Sequence, residues 1–72
     1  MPIIRVEMFK GRSAEQKREL VRELTETFAR VAGGNPGAVH VLISDVDKED
    51  WGIGGELALD KFPDPSKEGG GA

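Results

Sequence analysis

Apolar and polar positions alternate within the stretch from Ile3 to Phe9. In Ile3-Ile4-Arg5-Val6-Glu7-Met8-Phe9, Ile4, Val6 and Met8 fall on one side and Arg5 and Glu7 on the other. This is the two-residue period of a strand. Gly11-Arg12-Ser13 interrupts the run, and Ser13 followed three residues later by Gln16 matches a capping box, which starts a helix at Ala14. Leu20, Val21, Leu24, Phe28, Val31 and Ala32 then recur at helical spacing, with Glu15, Lys17, Arg18, Glu19, Arg22, Glu23 and Glu26 on the other face. The pattern predicts one amphipathic helix of about five turns. Gly33-Gly34 ends it, and Asn35-Pro36-Gly37 prevents its resumption.

Residues 39–44 predict a second strand, with Val39, Val41 and Ile43 facing one way and His40, Leu42 and Ser44 the other. Strand, crossover helix and strand make a β-α-β unit, and such a connection normally pairs its strands in parallel with a right-handed crossover. Residues 45–50 read as a solvated loop. Trp51-Gly52-Ile53-Gly54-Gly55-Glu56-Leu57 reads as a tight glycine hairpin suited to subunit contacts. The expected organisation is an α+β domain over residues 1–59. A tail over residues 60–72 has no periodicity, contains Pro63, Pro65 and Gly69-Gly70-Gly71, and is expected to be partly disordered. No internal repeat is present.

Size and composition narrow the function classes. The 72 residues allow one small domain, and 38% of them are hydrophobic. A lone chain of this size has a marginal core, and two strands do not make a stable sheet. Without cysteine and with one histidine, His40, disulfides are excluded and a protein-built zinc or iron-sulfur site nearly so. Self-association is the remedy left. A net charge of -3, no basic stripe and 6% aromatics argue against nucleic acid as a partner. Apolar runs reach only three residues, as at Val41-Leu42-Ile43, which is too short to span a membrane. The amino terminus lacks the basic start and apolar core of a secretory signal, so a cytoplasmic location is the expectation.

Few groups could carry chemistry. Ser13, Ser44, Ser66, Thr25, Thr27 and His40 are the uncharged candidates. Ser13 is used as a cap, Ser66 lies in the tail, and no carboxylate spacing around His40 suggests a triad. Gly52-Ile53-Gly54-Gly55 lacks the context of a dinucleotide or phosphate-binding loop. The amino terminus is the remaining candidate. Removal of Met1 would leave Pro2 with a secondary amine, and an α-amino group titrates near about 7.7–8.0, lower when buried or beside a cation. Such a nitrogen can take a proton from one carbon and return it to another.

Pro2-Ile3, Gly11-Arg12-Ser13 with Glu15-Gln16-Lys17, and Gly52-Ile53-Gly54-Gly55-Glu56-Leu57 together resemble the tautomerase superfamily. The resemblance is to its short 4-oxalocrotonate (2-hydroxymuconate) tautomerases, over about residues 2–59. It implies a β-α-β chain whose sheets pair across subunits, a homohexamer built as a trimer of dimers, no cofactor and no metal. It also implies an isomerase acting on a small unsaturated 2-oxo or 2-hydroxy carboxylic acid, with a place in the breakdown of aromatic compounds. By the same resemblance Pro2 is the general acid-base and Arg12 binds a substrate carboxylate. Trp51, with Phe9, walls the pocket and keeps it dry. Where members acting on the dicarboxylate carry a second arginine, this chain has His40, a shorter group left to assist at the substrate oxygen. Phe9 and Ile53 stand where the related dehalogenases need an arginine and a glutamate, which argues against dehalogenation. Two alternatives stay open. One is another reaction on the same scaffold, such as decarboxylation or a biosynthetic isomerisation, in a mixed oligomer that supplies the missing arginine. The other is a non-catalytic oligomeric module.

Overall fold

A computed structural model of the chain describes residues 1–63. Its elements run β1 (Ile3–Phe9), α1 (Ala14–Ala32), a 3-10 turn (Pro36–Ala38), β2 (His40–Val46), a second 3-10 turn (Lys48–Asp50), β3 (Gly52–Ile53), β4 (Glu56–Leu57) and α2 (Ala58–Lys61). β1 and β2 form one two-stranded parallel sheet, and β3 and β4 form a separate antiparallel one. Sequence-based expectation and structure therefore agree on the β-α-β unit and the hairpin that follows it.

The described residues fall into two compact units. The first comprises residues 1–6 and 12–44. Its helix starts where the capping box requires: the Gln16 N–H donates to Ser13 Oγ at 3.1 Å, and the Ser13 N–H donates to Gln16 Oε1 at 2.9 Å. It ends at Gly33, whose φ of 87° suits glycine and whose N–H donates to the Ala29 carbonyl at 3.0 Å. The half-buried stripe of α1 is Lys17, Leu20, Val21, Leu24, Thr25, Phe28 and Ala29. The expected apolar face is thus shorter at its end: Val31 is 72% exposed and Ala32 is exposed as well. On β1, Ile4 and Val6 are half-buried while Ile3 and Arg5 are exposed, as the alternation predicts.

β2 differs from its expected limits at both ends. Val39 closes the first 3-10 turn, donating its N–H to the Pro36 carbonyl at 3.2 Å, so the strand begins one residue later. It then runs on to Val46, into residues read as solvated loop. The carbonyl of Val46 accepts the N–H of Lys10 at 3.0 Å, a ladder partner supplied by the end of β1 that local composition does not reveal.

The second unit contains residues 7–11 and those from 45 onward. Gly54 and Gly55, with φ of 59° and 93°, turn the chain between β3 and β4, pairing Gly52 with Leu57 and Ile53 with Glu56. Two successive positive φ values are the requirement of the tight hairpin turn that glycine meets without strain. α2 follows as a single turn, with the Phe62 N–H donating to the Ala58 carbonyl at 2.8 Å. Residues 60–61, assigned by their lack of periodicity to the tail, belong to this turn. The expected disorder from residue 64 onward lies outside the described residues. Ala58 is the one fully buried hydrophobic residue among those described. Ile3 and Leu42 of the first unit are 59% and 46% exposed.

Candidate functional site

The residues singled out by sequence fall into two groups, one in each unit. Pro2, Arg12 and His40 belong to the first. Pro2 is half-buried at the entry to β1, and its carbonyl accepts the His40 N–H at 3.0 Å. That bond brings the start of β1 beside the start of β2 through main-chain atoms alone. Met1 precedes it, 83% exposed. With Met1 attached, the Pro2 nitrogen is a tertiary amide without basicity; its removal would free a secondary amine in the same place. The side chain of His40 is exposed, on the same side of β2 as those of Leu42 and Ser44.

Arg12 is exposed immediately before Ser13, the N-cap of α1. A cation there opposes the helix macrodipole by about 0.3–1 kcal/mol, a small cost that a bound carboxylate would offset.

The second group is aromatic. Phe9, the last residue of β1, and Trp51, just before β3, are both half-buried. Their ring centroids are 4.4 Å apart with an interplanar angle of 61°, an edge-on contact worth about 0.5–1.5 kcal/mol beyond the area it buries. Trp51 is also held by its backbone. Its carbonyl accepts the Ala58 N–H at 2.7 Å, and its N–H donates to the Lys48 carbonyl at 3.4 Å.

Sequence reasoning missed Lys48, which it left in a solvated loop. The side chain is half-buried, with Nζ 2.7 Å from the Phe62 carbonyl oxygen and 5.8 Å from the centroid of the Phe9 ring. Both partners are distant in sequence, so no local pattern marks it. Nearby, Asp47, Glu49 and Asp50 bring one carboxylate oxygen each within 4.8 Å of one another, and Lys10 Nζ lies 3.2 Å from Asp47. No helix among the described residues is long and apolar enough to cross a membrane.

A small β-α-β chain with proline second in its sequence, an arginine ahead of the helix and an aromatic pair beside a glycine hairpin defines a class before it defines a protein. Residues 2–61 match the family model described as tautomerase enzyme. A probable tautomerase of Halalkalibacterium halodurans is 39% identical over 61 residues, 85% of this chain and the whole of that protein. The crystal structure of apo unFused 4-OT superposes with a TM-score of 0.79 at 42% identity, covering 83% of this chain and 98% of the other. One chain of a heterohexamer 4-oxalocrotonate tautomerase from Chloroflexus aurantiacus gives a TM-score of 0.78 at 33% identity, covering 83% and 97%. The chain belongs to the tautomerase family, and its fold is the tautomerase fold. That membership supports a tautomerase, and hence an isomerase, function.

Proposed function

We propose that the protein moves a proton between the enol and keto forms, or between double-bond positions, of a small unsaturated 2-oxo or 2-hydroxy carboxylic acid. Pro2 is the general acid-base. After Met1 is removed, its nitrogen accepts a proton from the substrate hydroxyl or carbon and delivers it to another carbon of the conjugated system. No atom is lost and no cofactor is needed. Arg12 holds the substrate carboxylate by a charge-assisted hydrogen bond, a class of contact worth about 1.5–3 kcal/mol. Phe9 and Trp51 wall the site and exclude water, which keeps the neutral amine favoured over its ammonium form. His40 assists at the oxygen where charge builds in the dienolate. The observation that carries this reading is the match to the tautomerase family from residue 2, where proline immediately precedes β1.

The direct test follows the ultraviolet absorbance of phenylenolpyruvate and of 2-hydroxymuconate with wild type and Pro2→Ala side by side. The variant's free terminus is still a base, a flexible primary amine in place of the rigid secondary one, and its poorer placement is expected to lower kcat/KM by up to about 10². Equal rates would refute the assignment.

The working unit is proposed to be a homohexamer made as a trimer of dimers. Support comes from the outward apolar residues Ile3 and Leu42 and from Ala58 being the single fully buried hydrophobic residue among those described. A second arrangement has specific support as well. A similar chain comes from a heterohexamer, and His40 stands where a second family arginine is expected, so a paralogous subunit could supply that arginine. Native mass spectrometry distinguishes the two: six identical masses with full activity favour the homohexamer, whereas activity that needs a second gene product favours the mixed assembly.

A further inference from the structure

Lys48 stands where several contacts of the second unit converge. Its Nζ donates to the Phe62 carbonyl oxygen at 2.7 Å and lies 5.8 Å from the Phe9 ring centroid. Its own carbonyl accepts the Trp51 N–H at 3.4 Å. Trp51 meets Phe9 at 4.4 Å, and the Trp51 carbonyl accepts the Ala58 N–H at 2.7 Å. Ala58 in turn accepts from Phe62 at 2.8 Å. The contacts therefore close on themselves: Lys48 to Trp51, Trp51 to Ala58, Ala58 to Phe62, and Phe62 back to the Lys48 ammonium, with Phe9 bridging the ammonium and the indole.

An exposed lysine normally lays its stem on apolar surface and keeps its head in water. Here the half-buried side chain directs its ammonium to a carbonyl and an aromatic ring at once. The attraction of a cation to a ring is electrostatic and depends on where the cation sits, so it favours particular ring placements as well as adding energy. We propose that Lys48 is the positioning residue of the Phe9–Trp51 pair, fixing the angle between the rings and tying them to the chain at Phe62. In its kinetic consequence the inference rests on the function proposed above, in which these rings wall the substrate.

Trp51 is the only tryptophan of the chain, so its near-ultraviolet circular dichroism and emission report on this pair directly. Lys48→Met keeps the apolar stem and removes the ammonium. It is expected to change both spectra with far-ultraviolet dichroism preserved, and to lower kcat/KM on phenylenolpyruvate by about tenfold through misplacement of the wall. Lys48→Arg, which retains a donor and a cation, is expected to restore spectra and kinetics together. A merely structural lysine would lower thermal stability without this joint rescue. If Lys48→Met fails to fold, Lys48→Gln takes the same measurements, since it keeps a donor and drops the charge. An unchanged Trp51 spectrum overturns the proposal, as does a changed spectrum with unchanged kcat/KM. If wild type turns over neither enol substrate, the proposed function falls, and the spectra alone then decide whether Lys48 sets the rings.

Discussion

The two units hold their candidate functional groups by different means. In the first, Pro2 is placed by the main chain, set beside His40 by a carbonyl and an amide, while Arg12 precedes a helix whose start is held by the side-chain-to-backbone bonds of Ser13 and Gln16. In the second, Phe9 and Trp51 are placed by ring contact, by the Lys48 ammonium and by a hairpin that turns on two positive-φ glycines. Backbone placement tolerates a change of side chain; placement by side chains does not. Substitutions at the candidate residues of the first unit should alter chemistry and leave geometry intact, whereas those in the second should disturb geometry first.

The largest effect that sharpens this contrast is expected from Arg12→Ala. Loss of a charge-assisted contact worth about 1.5–3 kcal/mol should lower kcat/KM by roughly tenfold to a hundredfold. Thermal stability should stay within about 0.5 kcal/mol, because the side chain is exposed. Steady-state kinetics beside a melting curve checks both; an unchanged kcat and KM would remove the carboxylate assignment.

Gly55→Val is the converse experiment. A Cβ there would meet nothing within 4 Å, so the penalty comes from forcing a β-branched residue to φ of 93°. About 1–3 kcal/mol of stability should be lost, read as a lower urea midpoint, together with a change in the Trp51 spectrum. A neutral result would mean that the hairpin does not depend on its glycine conformation.

Ser13→Ala should have the smallest effect of the three. It removes the hydroxyl that caps α1 and should cost about 1 kcal/mol, visible in the melting temperature. The Trp51 spectrum should not move. A shift there would show that the placement of Trp51 depends on more than its contacts with Phe9, Lys48 and Ala58.

What could be read from sequence was set by how far apart along the chain the interacting residues lie. The helix limits, the first strand and the glycine hairpin were legible because each is set by residues a few positions apart: Ser13 with Gln16, Gly33 with Ala29, Gly54 with Gly55. The continuation of β2 to Val46 was not, since its bonding partner is Lys10. Nor was Lys48, whose partners are Phe62 and Phe9. The exposure of Val31 marks another limit of periodicity, because a repeating apolar position shows a face and not what covers it. For the candidate site, Pro2 was recognisable as chemistry in principle, a nitrogen that becomes basic when freed. Its weight as a candidate, and the roles given to Arg12, His40 and Trp51, came from resemblance to the tautomerases, because the physics of the residues alone fits an ordinary surface arginine or a packed tryptophan equally well.

Proton transfer by the freed Pro2 nitrogen can be checked by intact-mass spectrometry of the active protein. Molecules that turn over an enol substrate are expected to have lost Met1 and to begin at Pro2, and a preparation retaining Met1 is expected to be inactive. Full activity in protein whose mass still includes Met1 would contradict it, since the proline nitrogen would then be an amide with no proton to exchange.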